Sequence, residues 1–349
     1  MTLRANGGVR ARAPLRLGLA GGGTDLSPFC DQYGGYVMNA TVSLYAYVHL
    51  QPRTDGRLVF DAAEQGARFE TEAAPVVPLD SGTILHCGVY NRIIREFNNG
   101  RPLPLSIRTT VDVPAGSGMG GSSTLVVALV EAFRQYLGLP LGEYDVARLA
   151  FEIEREELMI AGGKQDQYAA AFGGFNFMEF YDGRRVIINP LRMKPTTIQE
   201  LEASFVLYYT GRSRSSAQVI EAQQSQLATK NQASIEAMMQ LKREATEMKE
   251  ALLRGRLDQV AETMVRGWKA KKQTSASVSN NEIDRILDLA LENGGLAGKV
   301  SGAGGGGFVS IIANPSERYR VTNVLRKEHG QLLPVVFTNE GACSWRCGF

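Results

Sequence analysis

The segment Pro114-Ala115-Gly116-Ser117-Gly118-Met119-Gly120-Gly121-Ser122-Ser123-Thr124 constrains this chain more than any other. A strand pattern, Ile107 to Val113, runs into it, and a strongly apolar helix pattern, Ser122 to Tyr136, runs out of it. Glycines at such a junction let successive backbone N–H groups turn toward a common point, while the helix start adds about half a positive charge. Together they make an anion site whose natural ligand is phosphate. The hydroxyls of Ser122, Ser123 and Thr124 also suit helix capping, which does not exclude a catalytic use. For one such loop alone, an ordinary structural turn is the plain alternative.

Two common phosphate loops do not fit. Gly116, Gly118 and Gly121 satisfy G-x-G-x-x-G, but the helix that follows leads into another helix pattern, Tyr144 to Ile160, without the second strand and ribose-binding acid of a dinucleotide fold. A Walker loop fails because Ser122 stands where its lysine belongs. Two further glycine segments accompany the central one. Ala13 to Asp25 ends in Gly21-Gly22-Gly23-Thr24-Asp25, a flexible edge followed by a hydroxyl and a carboxylate, as a polyol site needs. Ser301 to Phe308 holds four consecutive glycines, Gly304 to Gly307, whose ordering costs conformational entropy and so argues against a decorative loop.

The rest of the chain divides around these segments. Tyr36 to Leu50, Leu58 to Phe60, Phe175 to Phe180 and Val186 to Ile188 read as strands, the last two around a turn at Asp182-Gly183. Beyond Pro190 and Pro195 the composition changes. A short strand, Phe205 to Tyr209, precedes a proline-free stretch from Ser215 to about Lys272 that reads as helices broken near Gly255. A helix near Glu282 to Glu292, strands at Lys299-Val300 and Phe308 to Ile312, a helix near Glu317 to Glu328 and a last strand near Leu333 to Thr338 complete it. The expected class is α+β in two domains, 1–192 and 193–349.

Charge narrows the function. Thirty-eight Lys and Arg against 36 Asp and Glu leave +2, so no polyanion-wrapping surface is required and nucleic acid is not an expected partner. The basic cluster Lys269, Lys271 and Lys272 reads first as a solvated helix face, second as a contact for a small phosphate. No run approaches about 18 apolar residues, no secretory h-region is seen, and the four scattered cysteines do not make a disulfide framework. A cytoplasmic location is expected, with no membrane and no zinc site. His49, His86 and His329 fall in none of the motifs.

The three glycine segments, in this order and across nearly the whole chain, resemble the superfamily of galactokinase, homoserine kinase, mevalonate kinase and phosphomevalonate kinase. Its signature P-x-G-x-G-L-G-S-S-A corresponds to Pro114 through Thr124, with departures at Met119, Gly121 and Thr124. The resemblance implies an N-terminal α/β domain with a left-handed βαβ unit, a ferredoxin-like C-terminal domain, and ATP between them held by Pro114, Gly116, Ser117, Gly118, Met119, Gly120, Gly121, Ser122 and Ser123. It implies Mg²⁺ at Ser123 and Glu157, Asp166 as the base or orienting carboxylate, and Arg16 as the cation beside the reacting oxygen. Glu152, Glu154 and Glu156 crowd the helix that carries Glu157. Gly22, Gly23, Thr24 and Asp25 are then expected at the sugar, with Gly304 and Gly305 of the third segment.

Galactokinases carry Gly-Glu-His-Thr-Asp where this chain has Gly21-Gly22-Gly23-Thr24-Asp25, so the groups that read galactose are partly missing. The triple glycine, the stretch Tyr209 to Ser216 and the Lys271 to Asp284 region look like the D-glycero-D-manno-heptose 7-phosphate kinases of the superfamily. That resemblance implies phosphorylation of O1 of a sugar phosphate, with Arg212, Arg214 and Lys272 expected on the distal phosphate. A neutral-sugar kinase of fucose type and a non-catalytic sugar-binding regulator are the rival readings. A homodimer is left open.

Overall fold

The structure is a computed structural model in which residues 7–212, 216–228 and 231–348 are described. Two long antiparallel strands, β1 (Gly8–Ala20) and β2 (Gly35–Pro52), flank a short helix, α1 (Phe29–Tyr33). They lead into β3 (Arg57–Ala62), β4 (Ala67–Glu72), α2 (Ile84–Phe97) and β5 (Leu105–Val111). β3 and β5 run parallel across the crossover that carries β4 and α2, the one parallel pairing among the described strands. After the central glycine loop come α3 (Gly121–Leu137) and α4 (Glu143–Phe151). The helix expected to reach Ile160 instead passes into a π-helical turn, Glu152–Glu157, in which Leu158 N–H donates to the Ile153 carbonyl. Next are α5 (Gln165–Phe172) and the hairpin β6 (Phe175–Phe180) and β7 (Val186–Pro190).

The second half opens with α6 (Pro195–Ser204), whose proline sits in the first turn where no amide hydrogen is needed, and β8 (Phe205–Tyr209). Three helices follow: α7 (Ser216–Ala228), α8 (Gln232–Arg254) and α9 (Leu257–Thr274). The α8–α9 break falls at Gly255, which takes φ +68° and caps α8 by donating to the Ala251 and Leu252 carbonyls. Then come α10 (Asn281–Glu292), β9 (Gly295–Val300), β10 (Phe308–Ala313), α11 (Arg318–Leu325), β11 (Gln331–Leu333) and β12 (Cys343–Cys347). The strand expected over Leu333 to Thr338 is not formed. β11 ends before Pro334, which has no ladder donor, and Phe337 makes only an isolated bridge to Val42.

The large sheet runs β12-β1-β2-β5-β3-β4, with β6 on β2 and β7 on β6. The small sheet runs β11-β8-β10-β9, all antiparallel, which is the ferredoxin-like order. A cut at 192/193 would separate the two sheets except for β12, which returns to pair with β1.

Strand alternation explains the cores. In β8, Val206 and Tyr208 pack with α10 and α11, while Phe205 and Leu207 face the central core shared with β1, α8 and α9, so the small sheet is buried on both faces. In β1, Val9, Ala11 and Ala13 join the core under α2 to α5, and Leu15, Leu17 and Leu19 join the central one, the change falling at a register shift between Pro14 and Leu15. Arg16 alternates with Leu15 and Leu17 and therefore points away from that apolar core, toward α5.

Candidate active site

Four loops converge where the two halves meet: Gly21 to Ser27, Pro114 to Gly120, Leu158 to Lys164 and Ser301 to Gly307. The central and third glycine segments meet in this convergence. A Cβ at Gly118 would lie 2.5 Å from the Ser301 carbonyl, and Phe308 N–H donates to the Ser117 carbonyl at 3.0 Å, so the two loops lie backbone to backbone. Gly120, at φ +77°, leaves only 3.1 Å between a would-be Cβ and the Asp166 carboxylate. A side chain there would push the carboxylate away from the loop.

Two chambers adjoin at this point. The first is walled by the central glycine loop, the start of α3, Glu154, Arg155 and the Ile160–Gly163 loop. The start of α3 carries no side-chain cap, so Ser122, Ser123 and Thr124 leave its amides uncapped. The second chamber is lined by Gly21, Gly22, Gly23, Asp25, Gln165, Trp268, Lys271 and Lys299 among others. Arg16, Gly163, Asp166, Ile220, Gly302 and Ala303 line both.

At the shared wall Arg16, only 4% exposed, donates from Nε to Asp166 Oδ1 at 2.7 Å and from Nη1 to the Gly118 carbonyl at 2.6 Å. One guanidinium thus ties the carboxylate to the glycine loop, and Oδ2 of Asp166 stays open to the chambers. Asp166 sits in the first turn of α5, where the helix dipole favours its negative charge. α5 itself is anchored by Asp25, which accepts from Gln165 N–H, Gln165 Nε2 and Gly23 N–H, each at 3.1 Å. Asp25 therefore lines the second chamber but is already held on three sides.

Glu154, 1% exposed, points into the first chamber. Its Oε2 accepts from Gln167 Nε2 at 2.7 Å, whereas Oε1 has no hydrogen-bond partner among the described residues and lies 3.2 Å from the Arg155 guanidinium. Burial pushes its carboxyl above the usual range. Arg155 also donates to Ser123 Oγ at 2.9 Å and to the Ile160 carbonyl at 3.1 Å, so one cation stands between a buried carboxylate and a buried hydroxyl. That donor set, one carboxylate oxygen and one hydroxyl beside a phosphate cradle, suits Mg²⁺, which takes few protein ligands and completes its shell with phosphate and water.

Several sequence-predicted residues lie elsewhere. Glu157 is bound by Arg92 and Arg95 outside both chambers, and Glu154 is the glutamate that lines the first chamber. The resemblance points to Glu157, but Glu152–Glu157 form a π-helical turn that shifts the phase of the helix and brings Glu154 to the chamber. Thr24 is fully buried, with its hydroxyl shared among the Gly21 and Tyr36 carbonyls and Tyr36 N–H, so it shapes the first loop and does not line the second chamber. Gly304 and Gly305 pack against the Val278 backbone, and Gly302 with Ala303 form the chamber wall in their stead. Pro114 lies outside the chamber, and Met119 turns its side chain into the core while its carbonyl accepts from Arg16 N–H.

The expected phosphate-binding cations also move. Arg212 is 77% exposed and paired with Glu282; Lys272 is exposed and lies 3.5 Å from Asp284. Arg214 lies outside the described residues. Besides Arg16, the basic side chains that line the second chamber are Lys271, 7% exposed, and Lys299. Burial lowers Lys271 to about 8, and burial together with the charges of Lys271 and Arg16 lowers Lys299 to about 7. Gly22 and Gly23 line the second chamber, and Gly116, Ser117, Gly118, Gly120, Gly121, Ser122 and Ser123 line the first.

The chain matches the family model for the GHMP kinase N-terminal domain over residues 85–174 and that for the GHMP kinase C-terminal domain over 248–331. A Campylobacter jejuni protein named D-glycero-alpha-D-manno-heptose 7-phosphate kinase is 48% identical, covering 97% of this chain and 99% of its own. A crystal structure of a D-glycero-D-manno-heptose 1-phosphate kinase from Bacteroides thetaiotaomicron superposes with a TM-score of 0.83 at 42% identity, over 97% of this chain and 98% of that one. An Arabidopsis thaliana bifunctional fucokinase/GDP-fucose pyrophosphorylase is 26% identical over 93% of this chain and 31% of its own length. With both halves matched, and with a relative of nearly half-identical sequence spanning the same length, the chain belongs to the GHMP kinases.

Proposed function

We propose that this chain transfers the γ-phosphoryl group of ATP to the anomeric O1 of D-glycero-D-manno-heptose 7-phosphate, giving the 1,7-bisphosphate. The observation that carries the reading is the meeting of an amide-lined phosphate chamber and a lysine-bearing sugar chamber at one ion pair, Arg16 with Asp166. The triphosphate of ATP lies along Gly116 to Ser123, and the acceptor hydroxyl enters from the other side to meet Asp166.

Asp166 accepts or orients the proton of the attacking hydroxyl through Oδ2, since Oδ1 is engaged by Arg16. Arg16 pairs with that carboxylate and offers positive charge to the oxygen as it becomes alkoxide-like. Glu154 and Ser123 are the residues that would hold Mg²⁺, whose chemistry is to neutralise charge on the transferring phosphoryl group. Gly163 and Gln165, through Asp25, fix the start of α5 and with it the position of Asp166.

The names of the two most similar relatives above place the existing phosphate at opposite ends of the heptose. A panel assay of ATP consumption with heptose 7-phosphate, heptose 1-phosphate, unphosphorylated heptose, fucose and galactose separates the readings. Highest kcat/KM on heptose 7-phosphate is expected. Preference for fucose assigns the chain to the neutral-sugar kinases, and binding without turnover makes it a sugar-binding regulator.

A further inference from the structure

Two cations in the sugar chamber, the buried Lys271 and the part-buried Lys299, have no carboxylate partner among the described residues. Lys271 Nζ donates to the Gly22 carbonyl at 3.0 Å and Lys299 Nζ to the Gly18 carbonyl at 2.7 Å, and neither forms an ion pair with a described residue. The carboxylates of the same chamber are otherwise engaged: Asp166 by Arg16, and Asp25 by the amides of Gly23 and Gln165 and the side chain of Gln165. Each ammonium has three donors, and a neutral carbonyl leaves the charge itself uncompensated.

We infer that Lys271 and Lys299 form the receptor for the phosphate group that the sugar already carries. This rests on the proposed sugar-phosphate reading and adds to it the residues that recognise the distal anion. The two reach the chamber from different elements, Lys271 from the last turn of α9 and Lys299 from β9 just before the third glycine loop. Gly23 is part of the same arrangement, because a Cβ there would lie 2.7 Å from Lys271 Nζ and would cover the ammonium.

The electrostatics agree with the geometry. Arg16 and Asp166 neutralise each other at the reacting end, which leaves Lys271 and Lys299 against the hydrogen-bonded Asp25. A dianion entering the chamber restores balance, and a neutral sugar does not. Burial disfavours the charged form of both lysines; the charges of Lys271 and Arg16 add to this at Lys299, and Asp25 partly offsets it at Lys271, so an anion placed between the two ammonium groups favours their charged forms. Lys272, the neighbour on the outer face of α9, has none of these features.

The test compares heptose 7-phosphate with unphosphorylated heptose in wild type, Lys271→Met, Lys299→Met, Lys271→Arg and Lys272→Met. Titration calorimetry of heptose 7-phosphate on the nucleotide-free enzyme accompanies the kinetics. Each Met substitution is expected to lower the phosphorylated-to-unphosphorylated ratio of kcat/KM by about 10- to 10²-fold, mainly through KM, and to weaken binding in step. Lys271→Arg should recover part of the ratio, and Lys272→Met should retain it. Melting temperatures identify any variant that fails to fold, and Lys271→Arg then carries the comparison. If wild type prefers heptose 7-phosphate and every lysine variant keeps the wild-type ratio and affinity, the inference is wrong and the functional reading stands. If wild type shows no preference for the phosphorylated sugar, the functional reading fails and the inference falls with it.

Discussion

Replacing Glu154 by Gln should weaken Mg²⁺ and strengthen the empty fold at the same time. The carboxylate is 1% exposed, with one oxygen on Gln167 and the other without a hydrogen-bond partner among the described residues. Burial raises its pKa, which means the ionised form is disfavoured by folding: stability is fully present below the ordinary carboxylate range and falls as pH rises through the raised value. At neutral pH a neutral, nearly isosteric amide removes that cost, so the ligand-free variant should melt at or above the wild-type temperature. The metal should respond in the opposite sense. Losing a charged inner ligand exceeds the 10- to 100-fold penalty typical of an outer-shell partner, so a loss of more than about 10²-fold in apparent Mg²⁺ affinity, or more than about 2.7 kcal/mol, is expected. Glu157→Gln, which breaks only surface pairs with Arg92 and Arg95, should cost about 0–1 kcal/mol of stability and leave the metal titration unchanged. The assay is Mg²⁺-dependent ADP binding by calorimetry, with melting temperature measured on the same samples. Equal metal affinities for wild type and Glu154→Gln, or a shift in Glu157→Gln alone, would refute the assignment.

Asp166→Asn should leave MgATP affinity nearly intact and lower kcat by roughly 10²-fold or more; a near wild-type kcat removes Asp166 from the chemistry. Gly163→Ala places a methyl group on the Asp25 carboxylate and should displace the start of α5, lowering kcat/KM by about 10²-fold with nucleotide affinity preserved. Lys299 is lowered from 10.5 to about 7 in the fold, so between those values the unfolded chain holds a proton that the folded chain has released. Ligand-free stability should therefore rise with pH above about 7, by up to about 1.4 kcal/mol per unit, and Lys299→Met should lack that rise. Parallel melting curves for the two proteins from pH 7 to 9 would contradict it.

Much of this was legible because backbone chemistry leaves a strong signature. Three glycine segments mark where main chain must approach main chain or phosphate, and the structure places Gly118 against Ser301 and Gly120 against Asp166. The strand Phe205 to Tyr209 and the break at Gly255 follow equally from local pattern. What escaped depends on phase and on distant partners. In the glutamate cluster from Glu152 to Glu157 the resemblance points to Glu157, and only the π turn shows that Glu154 faces inward. On α9 the buried positions Val260, Met264 and Trp268 recur at helical spacing, and the next position on that face is Lys271, not Lys272, a signal carried by periodicity but masked by the run of lysines. Thr24 looked like a sugar ligand because a hydroxyl beside glycines has two uses, and only tertiary structure tells which one applies. β12 was missed because five residues with two half-exposed cysteines show no alternation until β1 supplies the partner.

The central claim is that the chambers meeting at Arg16 and Asp166 bring a γ-phosphoryl group to the anomeric oxygen of a sugar that already bears a phosphate. Phosphorus NMR of the reaction between MgATP and heptose 7-phosphate tests this directly. The account predicts ADP and one new sugar phosphorus resonance, coupled to the anomeric proton, while the original phosphate signal persists on the same molecule. A product phosphorylated at any other position, or inorganic phosphate in place of a bisphosphate, would contradict it.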